Sequence, residues 1–157
     1  MIDAVRQVES GNREGAKSKK GALGPMQVMP ETLKNPGYGL KPATDYSEQG
    51  LDRFGQEYLQ AMIQHYGDVR DALVAYNWGP GNANRWISRG RKDAALPAET
   101  RNYLNRVGLD YSRRLKNRDA SILEAEEMLS ASASPMQERP APVAAAQEPE
   151  AAPAPAP

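Results

Sequence analysis

The stretch Glu9-Ser10-Gly11, read together with Gly21-Ala-Leu-Gly-Pro-Met-Gln-Val-Met-Pro30 that follows it, decides how this chain is organised. Glu9 closes a short run in which Ile2, Ala4, Val5 and Val8 recur at three- and four-residue spacing, the pattern of one helix face. Gly11 is placed to end that helix. A carboxyl on a last helical turn sits beside the carbonyl end of the helix dipole and, backed by apolar residues, is disfavoured as an anion. Such an acid can donate a proton near neutral pH. Taken alone, Glu-Ser-Gly reads more readily as a solvated glutamate on a fraying helix end.

Outward from that stretch, Asn12 to Lys20 is polar, with Lys17, Lys19 and Lys20 close together, and reads as a loop leading to Gly21 and Gly24. Glycine there permits backbone conformations and close approaches closed to other residues. Pro30 with Glu31 and Thr32 suits the first turn of a short helix, stopped by Asn35-Pro-Gly-Tyr-Gly39. Leu40 to Tyr46 is irregular and suits the rim of a groove. Phe54, Tyr58, Leu59, Met62, Ile63 and Tyr66 predict a core helix over Asp52 to Tyr66, with Gly67 as its stop. Asp68 is positioned to cap a following helix with Val69, Ala72, Leu73 and Tyr76 on one face. Asn77 to Gly81 breaks the chain, Asn82 to Ser88 forms a turn or two that buries Trp86 and Ile87, and Arg89 to Asp93 is a polar loop. A final helix from about Pro97 to Leu115 turns Tyr103, Leu104, Val107, Tyr111 and Leu115 inward, and no strand pattern is visible.

Beyond Asn117 the composition changes. Ile122 to Leu129 predicts one more short helix, and Ser130 to Pro157 holds seven of the 13 prolines together with ten alanines. Such a segment cannot bury enough apolar surface to fold and is expected to be an extended tail. The net charge of zero conceals an asymmetry: residues 1–118 carry 19 Lys/Arg against 13 Asp/Glu, and residues 119–157 carry 1 against 7. A basic body favours an anionic partner such as the peptide stems and acidic polymers of a bacterial wall, and equally suits a merely soluble surface. No stripe interleaves aromatic and basic residues, so no nucleic-acid partner is expected.

With 157 residues and 39% apolar content, one domain with a modest core is expected. No stretch is long and apolar enough to span a membrane, and the start lacks the order of a signal peptide. The absence of cysteine excludes disulfides and thiolate metal sites. His65 stands alone without metal-ligand spacing, Gly79-Pro-Gly81 lacks the lysine and hydroxyl of a phosphate loop, and no metal or other cofactor is implied.

Four motifs occur in order: Glu9-Ser10-Gly11, Gly24-Pro-Met-Gln27-Val28-Met-Pro30, Ala75-Tyr-Asn-Trp-Gly-Pro-Gly81 and Glu99-Thr-Arg-Asn-Tyr103. Together they resemble the soluble lytic transglycosylase (SLT) domain, which is related to goose-type lysozyme, over roughly residues 1–115. The resemblance implies a predominantly α-helical, lysozyme-like α+β fold with any sheet small. It divides the chain into a catalytic domain over residues 1–117, a short helix within 118–129 and a disordered Pro/Ala-rich tail over 130–157. The family usually carries more helix before its glutamate, so a thinner back wall to the groove is expected.

The resemblance further implies cleavage of the β-1,4 bond between N-acetylmuramic acid (MurNAc) and N-acetylglucosamine (GlcNAc), leaving a 1,6-anhydro-MurNAc end. Glu9 is then the catalytic residue, first as acid toward the leaving oxygen and then as base toward the C6 hydroxyl. Tyr76 is expected to hydrogen-bond the Glu9 carboxyl, Gln27 and Asn77 to meet substrate amides and hydroxyls, Ser10 and Ser18 to support the site, and Tyr103 to line it. Met26 is included with them, although packing suits it better than binding. Tyr76 and Tyr103 also fit core faces, and Ser10 also fits a helix-end cap. Trp78 stands where many relatives have a small residue, and either stacks on sugar or packs; Trp86 reads as core. Glu14, Glu31 and Asp45 lie near the motifs but read as solvated loop acids.

Two other functions remain open on these residues: a lysozyme-type muramidase that hydrolyses the same bond, and a structural or wall-binding component of a virion or secretion assembly. The Asn-Trp-Gly-Pro-Gly variant and the Pro/Ala tail look more like a phage-borne copy. The expected partner is the glycan strand of peptidoglycan, the expected state a monomer, and the expected place of action the bacterial cell wall, in the periplasm.

Overall fold

In the computed structural model, residues 1–13 and 15–132 are described, with side chains described through Ser130. Six α-helices follow one another: α1 (Ile2–Ser10), α2 (Pro30–Lys34), α3 (Glu48–Tyr66), α4 (Val69–Trp78), α5 (Pro80–Ser88) and α6 (Ala98–Ser132), with a 3-10 turn at Asp93–Ala95 before the last. The described residues are mostly helical. Their β component is two isolated antiparallel bridges, Lys17 with Leu23 and Leu23 with Val28.

Local chemistry sets most helix ends. Gly11 takes φ 64° and its N–H donates to the Gln7 carbonyl, closing α1 in a left-handed cap that costs glycine little. The Ser47 side chain accepts from the Gly50 N–H, so α3 begins a turn before the expected Asp52. The Asp68 side chain accepts from the Asp71 N–H at the head of α4, as its sequence position predicts.

α6 departs from expectation. The sequence predicts a break after Leu115 and a separate helix over Ile122 to Leu129, yet one helix runs from Ala98 to Ser132. No glycine or proline lies between Gly108 and Pro135, and the intervening Arg, Leu, Lys, Glu and Ala are strong helix formers. The core belongs to the unit Met1–Ala120, whereas every side chain from Ser121 to Ser130 is exposed. Of the disordered tail expected over residues 130–157, residues 130–132 instead belong to α6; the rest of that tail, and Glu14, lie outside the described residues.

The core gathers around α3. Leu59 and Met62 are fully buried there with Val5 of α1, Val74 of α4, Val107 of α6 and Leu33 of α2. Trp86 is core, as its sequence position suggests, and its indole N–H donates to the Lys92 carbonyl at 2.9 Å. Ile63 and Tyr66 are only partly buried.

Two contacts fix α1, and with it Glu9. The Arg6 guanidinium makes a two-pronged pair with the Asp52 carboxylate of α3, at 2.9 and 2.8 Å. Such fork geometry restricts orientation as well as distance. At the other end, the Arg106 guanidinium of α6 donates to the Val8 carbonyl at 3.2 Å, meeting a carbonyl that helix termination leaves open. The segment 24–28 is pressed onto α3 through a glycine: a Cβ added at Gly55 would lie 2.3 Å from the Met26 Cβ. No other residue at position 55 permits that approach without displacement.

Candidate active site

Glu9 ends α1 half-buried, and burial lifts its carboxyl from the ordinary 4.5 to about 7. Three weaker influences adjust this. The Tyr103 hydroxyl and the Arg106 charge favour the anion, while the Glu99 carboxylate disfavours it. Desolvation dominates because the carboxylate loses water that nothing fully replaces. The acid is therefore about half protonated at neutral pH and largely protonated below it.

A cleft of about 460 Å³ opens at this carboxyl. Val8 and Glu9 come from α1, Asn77 from the last turn of α4, and Glu99, Asn102, Tyr103 and Arg106 from α6. Of the residues singled out in the sequence, Glu9, Asn77 and Tyr103 meet there. Glu99, Asn102 and Arg106 were missed as site residues, although a signal existed: with Tyr103 they fall at helical spacing on one face of α6. Glu99 is exposed and supplies a second carboxylate to the cleft. The loop acids Glu31 and Asp45 are not among its walls; Glu31 accepts from Asn35, and Asp45 pairs with Arg53 at 3.5 Å.

The two tyrosines differ in where their hydroxyls go. Tyr76 was expected to hydrogen-bond Glu9, but its hydroxyl donates to the Met26 carbonyl at 2.7 Å. Its remaining lone pairs can only accept, so toward Glu9 it serves the protonated acid alone. Burial and the nearby Glu9 charge hold the Tyr76 phenol well above its ordinary range. Tyr103 is buried with its hydroxyl enclosed and short of full hydrogen-bond geometry with any partner. It lies close enough to Glu9 that each shifts the other's titration.

Four expected residues shape the scaffold. Gln27 adopts φ 50°, and its carboxamide donates to the Ala16 carbonyl at 3.0 Å and the Gly24 carbonyl at 2.9 Å. Both amide protons are committed to the loop, leaving the side-chain oxygen for a ligand. A non-glycine residue at that φ costs energy that the two bonds offset. The Met26 side chain is wholly buried and packs; its contribution is the carbonyl that holds Tyr76. Buried Ser10 donates from its hydroxyl to the Arg6 carbonyl at 3.2 Å, and Ser18 accepts from the Ala22 N–H at 3.0 Å. Ser10 thus secures the helix end and Ser18 the turn.

Among the described residues no group of His, Cys, Asp and Glu could hold a metal ion, and no helix is long and apolar enough to cross a membrane. His65 is exposed, with Tyr38 and Tyr66 edge-on at 4.9 and 5.0 Å.

Residues 1–97 match the model of the transglycosylase SLT domain family. The soluble lytic murein transglycosylases of Salmonella typhimurium and Escherichia coli K12 are each 35% identical over 125 residues, covering 66% of this chain. The chain spans only 18% of the length of each. A transglycosylase of Enterobacteria phage PRD1 is 33% identical over 105 residues, 67% of this chain and 37% of the phage protein. No solved structure shows significant similarity.

Proposed function

Because this chain belongs to the transglycosylase SLT domain family, we propose that it is a peptidoglycan lytic transglycosylase with Glu9 as its catalytic residue. The observation that carries the reading is a carboxyl held protonated to about 7 at the edge of an open cleft with amide side chains beside it. The substrate is the β-1,4 bond from MurNAc to GlcNAc. Glu9 gives its proton to the leaving GlcNAc oxygen as the bond to the MurNAc C1 breaks, and the sugar's own N-acetyl oxygen stabilises the electron-poor carbon. The Glu9 carboxylate then takes the proton of the C6 hydroxyl while that oxygen closes on C1. The acid is regenerated, and the fragments together weigh what the strand weighed.

Within this reading Asn77 meets substrate polar groups, as does the free oxygen of Gln27. Tyr103 and Tyr76 orient the carboxyl, Tyr76 by accepting from the acid form. The chain takes the family's lysozyme-like α+β form, with the bridges through Leu23 as its small β element. It acts on the bacterial wall as a monomer, and the phage PRD1 relative favours a virion-borne copy.

Glu99 favours one alternative. A second carboxylate in the cleft suits a hydrolase that activates water, giving a reducing end instead of an anhydro ring. Mass spectrometry of the sugar products separates the two. Products one water lighter than reducing-end fragments are expected, and reducing ends alone would replace the transglycosylase by a muramidase. No release of sugar fragments would leave the idle-groove, structural reading.

A further inference from the structure

The first turns of α3 carry a polar stripe that the proposed chemistry does not use. Glu48, Asp52 and Gln56 follow one another at four-residue spacing, so they share one face of a helix that otherwise supplies core. Asp52 holds α1 through Arg6, and the Gln56 amide donates to the same carboxylate at 2.8 Å. Glu48, one turn earlier, reaches the other half of the site. Its Oε2 accepts from the Gly15 N–H at 3.0 Å, and its Oε1 is enclosed. Among the described residues it pairs with no cation.

The bond to Gly15 leads on to Gln27. The carbonyl of the next residue, Ala16, accepts from the Gln27 amide at 3.0 Å and from the Gly24 N–H at 2.9 Å. Gln27 donates also to the Gly24 carbonyl, and Gly24 is seated on the core: a Cβ there would lie 2.7 Å from the Leu51 Cβ of α3. With both amide protons committed, the free oxygen of Gln27 stands where the Ala16 and Gly24 carbonyls place it. Packing holds Gly24. Gly15 and Ala16 belong instead to a polar loop, and Gly15 sits at φ 64°, a conformation that glycine both enters and leaves at little cost. Glu48 supplies the hydrogen bond from α3 that holds this loop.

We propose that Glu48 is a positioning residue for substrate binding: through Gly15 and Ala16 it sets the Gln27 oxygen, as Asp52 through Arg6 sets Glu9. One face of α3 then keeps the amide that binds and the acid that reacts in a fixed relation. The role in binding rests on the peptidoglycan reading of the site; the link from Glu48 to Gln27 does not. A carboxylate in the first turn of a helix also stabilises the helix dipole, and that purely structural role requires the charge, whereas the positioning role requires only an acceptor.

The amide variant separates the two. Glu48→Gln keeps an oxygen that can accept from the Gly15 N–H and loses the charge; Glu48→Ala loses both. In the isotope-labelled full chain, the Gln27 side-chain amide signals, identified by their loss in Gln27→Ala, should move in Glu48→Ala and stay in place in Glu48→Gln. In turnover of purified peptidoglycan, Glu48→Ala should raise KM roughly threefold to tenfold, the scale of one hydrogen bond, with kcat unchanged. Glu48→Gln should keep the wild-type KM even where its thermal midpoint falls as far as that of Glu48→Ala. Glu57→Ala, which removes an exposed carboxylate from another face of α3, should leave KM and kcat unchanged. Gln27 signals that stay in place in Glu48→Ala overturn the link. An unchanged KM in Glu48→Ala, a Glu48→Gln variant with the same raised KM, or the same rise in Glu57→Ala overturns the positioning role. Failure of the activity is read separately: absence of anhydro products from the wild type removes the transglycosylase and leaves the movement of the Gln27 signals standing.

Discussion

On the side of α4 and the glycine-rich loop, the polar side chains have partners: Tyr76 donates to Met26, and Gln27 to Ala16 and Gly24. On the side of α6, Tyr103 keeps a buried hydroxyl without a fully formed bond, and Glu99 and Arg106 bring opposite charges to the same carboxyl. The first side is a scaffold whose satisfied bonds fix where the wall stands. The second is electrostatic, and its groups adjust how readily Glu9 ionises. An unsatisfied buried hydroxyl is costly in a fold, and this one lies close enough to Glu9 to shift its titration.

The sharpest way to break this contrast is to remove the acid itself. Glu9→Gln should lower turnover of peptidoglycan by about 100- to 10,000-fold, the range of general acid catalysis, with the circular dichroism spectrum unchanged. Near-full activity would end the mechanism. The same variant carries a stability signature. Because folding raises the Glu9 carboxyl from 4.5 to about 7, wild-type stability is greatest relative to the Gln variant below pH 4.5 and falls between those values. Chemical denaturation at pH 4 and pH 8 should therefore show the Gln variant gaining on the wild type at the higher pH.

Gly55→Ala should strike the scaffold side. Its new Cβ would meet the Met26 Cβ at 2.3 Å, so Met26 and the segment carrying Gln27 must move. A loss of roughly 1–3 kcal/mol in thermal or denaturant unfolding is expected, with reduced activity. Full stability and activity would show that the loop has room to shift.

The two tyrosines test the contrast directly. Tyr76→Phe leaves the Met26 carbonyl without its donor and should cost about 1–3 kcal/mol of stability. Tyr103→Phe removes a hydroxyl that has no full partner, so stability should hold while the pH profile moves. Equal losses of stability in both variants would erase the distinction between the two sides.

The smallest effects belong to the charges. Activity of the wild type should fall as pH rises past about 7, because the donor is then ionised. Arg106→Gln and Tyr103→Phe remove groups that favour the anion and should move that fall to higher pH, whereas Glu99→Gln should move it lower. Shifts of one sign in all three would show that packing, not charge, is what the α6 side contributes.

Much of the framework follows from local sequence. Asp68 and Gly11 mark helix ends through bonds made within a few residues, and the apolar spacing before Glu9 and across residues 54–62 marks buried faces. Glu9 itself is legible because a helix end and an apolar run sit side by side in the chain. The continuous α6 is legible too, in the absence of any glycine or proline between Gly108 and Pro135.

Tertiary structure decided what those residues face. Burial as the main cause of the Glu9 shift, the hydrogen bond that the Tyr76 hydroxyl donates to a carbonyl 50 residues away and the seat of Arg106 on Val8, 98 residues distant, depend on packing between helices. So does the entry of Glu99 and Asn102 into the cleft. Periodicity states which face of a helix is apolar, but a hydrogen bond or a charge pair needs two groups at a set distance and angle. Between residues far apart in the chain, those are fixed only when the core closes.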